Sequence, residues 1–295
     1  MKWTPNILTG TLIVCGMMIV VVLIDVGLLW RVVSGPANGV TFACGLFVLL
    51  SLPTVAWLAY RGYNLTQLRY EFDRNRLVIT TGAIKQIVPM SSIERVVDGG
   101  EAEARRVRGL TWAGYAIGHG WVKGIGQTLF YATTPLQEQA IVVTPTVAYG
   151  ITVPDMDSFR ESFDRCRQMG PSLRIQQATE RAAFVQWPVW KDTYTQGVLL
   201  GCIALNALLF ALLLFSYPDL PAAIPLHYDM AGQVDRIGPR SELFTLPVIA
   251  SVTLAMNGVI GMIFYRRERM ISYLAWSGAA VVQGLFLLAL WNIIR

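Results

Sequence analysis

The residues best suited to chemistry stand close together in one proline-rich stretch. Between Pro218 and Glu242 lie His227, Asp229, Asp235 and Arg240. An imidazole, two carboxylates and a guanidinium can bind a peptide or a cation, or bond to one another. His227 would change charge near neutral pH. His227 and Asp235 alone are too few ligands for a zinc site. The only other histidine is His119, so neither a metal nor a cofactor is expected. Pro221 and Pro225 stiffen the stretch, Gly232 permits a turn, and Asp235 is placed to pair with Arg240 or His227. Two readings stay open: a self-bonded loop, or an external binding site made of His227, Asp229, Asp235 and Arg240.

A second group is basic. Arg105, Arg106 and Arg108 precede a glycine-rich run from Gly109 to Gly126. That run lacks the G-K-[ST] of a phosphate loop. The three arginines suit anionic headgroups or a protein partner, or pairing within their own domain. A third group is polar and sits inside apolar runs: Asp25, Asn206, Asn257 and Gln283. Amides in such places usually join helices. Asp25 lies near Arg31 and is either an interfacial carboxylate or a functional one. No G-x-S-x-G, H-E-x-x-H or carboxylate pair stands out, so no catalytic residues and no enzyme are expected. The four cysteines, Cys15, Cys44, Cys166 and Cys202, show no C-x-x-C spacing, which leaves a zinc site or disulfide framework unsupported.

The elements that must position these residues are mostly membrane helices. The chain of 295 residues is 54% hydrophobic and 15% charged, against about 25% charged in soluble proteins. Its formal net charge of +5 suits anionic lipid more than nucleic acid. A span needs roughly 20 apolar residues, and five runs qualify: about 7–30, 39–60, 197–217, 243–265 and 271–294. Trp3 and Trp30 flank the first, as aromatic belts do. The division expected is a helical hairpin over 1–61, a polar domain over 62–169, an interfacial linker over 170–196, and three helices over 197–295 with the loop 218–242. A short surface helix is one reading of 174–185.

The polar domain alternates as strands do, with a helical turn near Pro89 to Val96. Asp155 opens a closing helix that runs to about Met169, with acids first and arginines last. Arg76 to Gly82, Ile87 to Ile93, Gly114-Tyr115 with Gly118, Tyr131 to Thr133, and Tyr149 to Val153 leading into Phe159 resemble the bacterial pleckstrin-homology-like (PH-like) domain family. The resemblance implies a seven-stranded β-barrel capped by a C-terminal helix. The fold class expected is therefore α+β, with about five transmembrane helices. The stretch from Leu220 to Arg240 is similar to the DUF1648 family, which includes the immunity protein of a sporulation-delaying toxin. Pro225, His227, Gly232 and Asp235 match that pattern. Arg240 stands where lysine is usual, and Asp229 where asparagine is common.

Arg266, Arg267 and Arg269 between the last two spans mark the cytoplasmic side. Met1 and the polar domain then face the cytoplasm of a bacterial inner membrane, and loop 218–242 and Arg295 face outward. The function expected is that of a non-catalytic scaffold or accessory subunit. The alternative is a sensor or immunity-type protein. The expected partners are the bilayer and a protein or second copy, not nucleic acid.

Overall fold

The computed structural model describes residues 1–294 except Glu103, Arg174 and 229–232; for 104–111, 227 and 228 it describes the backbone alone. The chain divides into two compact units. One comprises Met1–Val22 and Pro53–Gln186, the other Leu23–Leu52 and Trp187–Arg295.

The first unit begins with a short strand, β1 (Lys2–Trp3), followed by α1 (Leu8–Ser34) and α2 (Gly39–Thr66). Both helices continue into the second unit. At 1.5 Å per residue, α2 is about 42 Å long, more than the ~30 Å of bilayer hydrocarbon. Its last turns, from Arg61, therefore belong to the polar domain and not to the span.

The strands that follow are β2 (Arg69–Phe72), β3 (Arg76–Thr81), β4 (Ile84–Pro89), β5 (Arg95–Asp98), β6 (Ala104–Trp112), β7 (Tyr115–Val122), β8 (Gly126–Ala132), β9 (Gln139–Val143) and β10 (Ala148–Thr152). Then come α3 (Met156–Met169) and β11 (Ala178–Arg181). They form two sheets, ordered β1-β2-β3-β4-β11 and β5-β9-β10-β8-β7-β6. This corrects the seven-stranded barrel. Pro89 cannot donate a ladder hydrogen bond, and the 3-10 turn Met90–Ser92 carries the chain from the first sheet to the second. β10 then inserts between β8 and β9, parallel to β8.

The main core lies between the sheets and under α3. It joins Tyr70, Phe72 and Ile79 of one sheet to Val142, Tyr149 and Ile151 of the other, with Phe159 and Phe163 from the helix. Asp155 caps α3 by accepting from the backbone N–H groups of Asp157 and Ser158, as the acidic start of that segment predicts. The outer face of the second sheet has its own core of Val122, Phe130, Ile141, Val143 and Ala148. Every residue of β9 and β10 is buried for that reason.

Two further expectations change. Trp3 is a core residue of this domain, not a belt residue. Its ring lies 5.5 Å from Tyr70 and 5.6 Å from Phe159, and its Nε1 donates to the Thr152 carbonyl. The 174–185 segment contains β11, not a helix. β11 pairs with β4, and Thr179 donates to the buried Gln86 side chain, which itself donates to the Tyr131 hydroxyl.

The second unit contains the remaining parts of α1 and α2, then α4 (Thr193–Ser216), a hairpin of β12 (Ala223–Tyr228) and β13 (Val234–Pro239), α5 (Thr245–Phe264) and α6 (Arg269–Ile294). Five helices of the chain are long and apolar enough to cross a membrane. Their outward surfaces agree: Leu12, Leu23, Leu50, Leu200, Ile263 and Leu285 are each at least 60% exposed. Helices with so much exposed apolar surface belong in lipid, not water. The helices pack through small residues, as spans commonly do. A Cβ on Gly261 of α5 would lie 2.2 Å from Nε1 of Trp276, which is fully buried on α6.

Candidate functional site

In the first unit, the glycine-rich run forms the β6–β7 hairpin, and the hairpin's tip docks on α1. Gly114 has φ +77°, a conformation that glycine adopts without strain. A Cβ on Gly114 would fall 2.3 Å from the Gly10 nitrogen, and one on Gly10 would fall 2.2 Å from the Gly114 oxygen. Tyr115 beside it is fully buried. Its ring stacks on Trp112 at 4.4 Å, and its hydroxyl accepts from Arg61 Nη1 at 3.1 Å. The Arg61 guanidinium also lies 5.1 Å from the Trp57 ring centroid. Trp112, Tyr115, Phe130 and Gln139 wall a cavity of about 490 Å³ at this end of the domain, and no charged side chain lines it among the described residues. The sequence reading did not single out Arg61 or Trp112. The side chains of Arg105, Arg106 and Arg108 lie outside the described residues.

In the second unit, the β12–β13 hairpin leaves the end of α4. Its backbone register sets His227 opposite Arg236 and Tyr228 opposite Val234, with irregular pairing on both sides of His227. The His227 side chain and all of Asp229 lie outside the described residues. Asp235 is exposed on β13. Arg240 is committed elsewhere. Its Nη1 donates to the carbonyls of Tyr217 at 3.0 Å and Leu220 at 2.9 Å, and its guanidinium lies 4.6 Å from the Tyr217 ring centroid. A cation at a helix C-terminus satisfies carbonyls that lack intrahelical partners. Arg236 pairs with Glu242 at 2.8 Å. Arg240→Ala will therefore loosen the hairpin from α4, at a cost of about 1–2 kcal/mol. Amide exchange within Ala223–Tyr228 reads this directly: faster exchange is expected, and unchanged protection would contradict it.

Of the intramembrane polar residues, two come together. Asn206 Nδ2 lies 3.3 Å from Gln283 Oε1, Ser251 donates to Asn206 Oδ1 at 3.1 Å, and Gln283 Nε2 donates to the Ala250 carbonyl at 2.9 Å. This cluster joins α4, α5 and α6. Asn257 is apart and donates to the Thr253 carbonyl one turn back. Asp25 is also apart. It is buried, and Ser51 donates to its Oδ2 at 2.7 Å, which ties α1 to α2.

A polar knot not foreseen from the sequence lies at the start of α4. Asp192 accepts from Tyr265 and Tyr273, both at 2.8 Å, and caps α4 through the N–H groups of Tyr194 and Thr195. Burial pulls the Asp192 carboxyl upward, but the hydrogen bonds from Tyr265, Tyr273 and Thr195 prevail and hold it well below the usual carboxylate range. Burial, then the bond to Asp192, pushes the Tyr265 phenol up to about 12.

Residues 68–166 match the family described as bacterial PH domain. That match begins just past α2 and ends within α3. Residues 204–250 match a second family, the domain of unknown function DUF1648. That match runs from α4 through the β hairpin into α5, and holds Asn206 and Arg240. These are the two families that the sequence resembles, and neither description names a catalytic activity. An uncharacterized protein of Archaeoglobus fulgidus is 38% identical over 69 residues, which are 23% of this chain and 37% of that protein. The chain therefore spans little more than a third of that relative's length. No solved structure matches the chain.

Proposed function

We propose that this is a non-catalytic membrane accessory protein whose PH domain presents a binding surface to a protein partner on the cytoplasmic side. The observation that carries this reading is how the domain is joined to its membrane helices. β1 precedes α1 yet pairs with β2, only two residues separate α2 from β2, and the β6–β7 tip rests on Gly10. A domain held this way is a rigid platform, and a rigid surface binds at a lower entropic cost. The aromatic-walled cavity beside that tip suits an apolar side chain of a partner.

Supporting the orientation are Arg266, Arg267 and Arg269 between α5 and α6, by the positive-inside tendency. The alternative, an external sensor, rests on the DUF1648 match across the hairpin. It is the weaker reading, because Arg240 is spent on the end of α4. Purification of the full chain in a mild detergent, followed by mass spectrometry, tests the proposal. A stoichiometric protein partner lost on Trp112→Ala, in a variant whose domain still unfolds cooperatively, supports it. A chain that purifies alone, and whose deletion sensitises cells to an external toxin, would favour the sensor.

A further inference from the structure

The second unit contains a cavity of about 650 Å³ that the polar cluster does not explain. The α1–α2 turn and α2 line one side, and α4 and α5 the other. It runs from Gly35 and Phe244, at one end of the spans, to Asn206 and Ser251, near mid-depth of α4 and α5. Its few polar side chains are already engaged. Thr41 donates to the Pro36 carbonyl, and Ser251 to Pro247 and Asn206. An apolar cavity of this kind stays dry and takes apolar ligands. A void costs stability in proportion to its volume, so between membrane spans it fills with hydrocarbon.

A second observation concerns the end of the cavity at the α1–α2 turn. Arg31 folds back over Gly35, so that a Cβ there would lie 1.4 Å from Arg31 Nη1. Gly35 lines the cavity. Arg31 has no carboxylate partner among the described residues. A guanidinium with no acidic partner among the described residues thus stands where a spanning hairpin turns, beside an apolar cavity.

We infer that this is a binding site for one anionic phospholipid, with an acyl chain in the cavity and the phosphate on Arg31. Arg suits that role because its fork donates in pairs to phosphate oxygens. A partner's membrane helix does not fit. Such a helix is about 10 Å wide and crosses ~30 Å, which needs several times the volume. The site lies outside the PH domain and does not depend on its proposed function.

Native mass spectrometry of the full chain in mild detergent tests the inference. The probes are dioleoyl phosphatidylglycerol, dioleoyl phosphatidylcholine and inorganic phosphate. The wild-type chain should retain one phosphatidylglycerol, about tenfold in preference to phosphatidylcholine, and inorganic phosphate should not displace it. Arg31→Gln should abolish the preference between the two lipids. Gly45→Leu should fill the cavity and lower retention of both about tenfold. Space for that side chain exists, since the nearest atom to a Cβ there is 4.0 Å away. Ala207→Phe serves the same purpose if the first variant folds poorly. Equal retention of both lipids by the wild type would overturn the inference. So would unchanged retention in a folded cavity-filled variant, or displacement by inorganic phosphate.

Discussion

Gly114→Val will detach the β6–β7 tip from α1 and destabilise the PH domain by about 3 kcal/mol or more. Two costs add. A β-branched residue at φ +77° is strained by about 1–3 kcal/mol. Its Cβ would also meet the Gly10 nitrogen at 2.3 Å and the Gly10 Cα at 2.8 Å, and those are backbone atoms that cannot rotate away. The tip must lift, and Tyr115 then loses both its burial and its hydrogen bond from Arg61. Intrinsic fluorescence follows the unfolding, because Trp112 stacks on Tyr115. Gly124→Val is the control. It too has positive φ, but nothing lies within 4 Å of its Cβ position, so it carries only the backbone strain. Equal losses in the two variants would show that the Gly10 contact is immaterial.

Asp192→Ala is expected to cost about 2–3 kcal/mol, from a lost helix cap and phenols left without an acceptor. The same knot sets a pH dependence with two limbs. The folded Asp192 carboxyl is depressed, so its contribution is present above the unfolded value and disappears as pH falls below about 4. The Tyr265 phenol is raised to about 12. Its contribution is complete below the unfolded value near 10 and is lost as pH rises from there toward 12. Asp192→Asn should flatten the acid limb while leaving a partial cap. Thermal unfolding of wild type and variant between about pH 3 and 6 gives the comparison, and parallel curves would show that Asp192 does not drive the acid loss.

These two sites differ in how far they could be read from sequence. The five helices were legible because hydropathy is a property of a continuous run. α3 was legible from Asp155 and the arginines that follow, and the 3-10 turn from Pro89 and Met90. The glycines at 109–126 resisted reading, since a hairpin whose tip rests on another backbone shows only as missing side chains. β1 is two residues long and β11 is wholly exposed, so neither shows a hydrophobic period. Both are strands only because a distant sheet edge accepts them. That is also why two sheets were misread as one barrel. The Asp192 knot depends on partners 73 and 81 positions away, and nothing local marks Tyr265 or Tyr273 as belonging to it. Arg240 stands out in the sequence as a binding residue of the loop or a partner for Asp235, whereas its carbonyl partners at Tyr217 and Leu220 are invisible in side-chain chemistry. The lipid cavity has no local signature at all.

Whether the PH domain and the β12–β13 hairpin face opposite sides of one membrane is decided most directly by single-cysteine labelling in intact cells. Cys15, Cys44, Cys166 and Cys202 would first be replaced with serine. A cysteine is then placed at Asn75, in the turn between β2 and β3, or at Gln233, beside β13. A membrane-impermeant maleimide should label Gln233→Cys from outside, and should label Asn75→Cys only after the cells are opened. Labelling of Asn75→Cys but not Gln233→Cys in intact cells would contradict a cytoplasmic PH domain, and with it the proposed recruitment of a cytoplasmic partner.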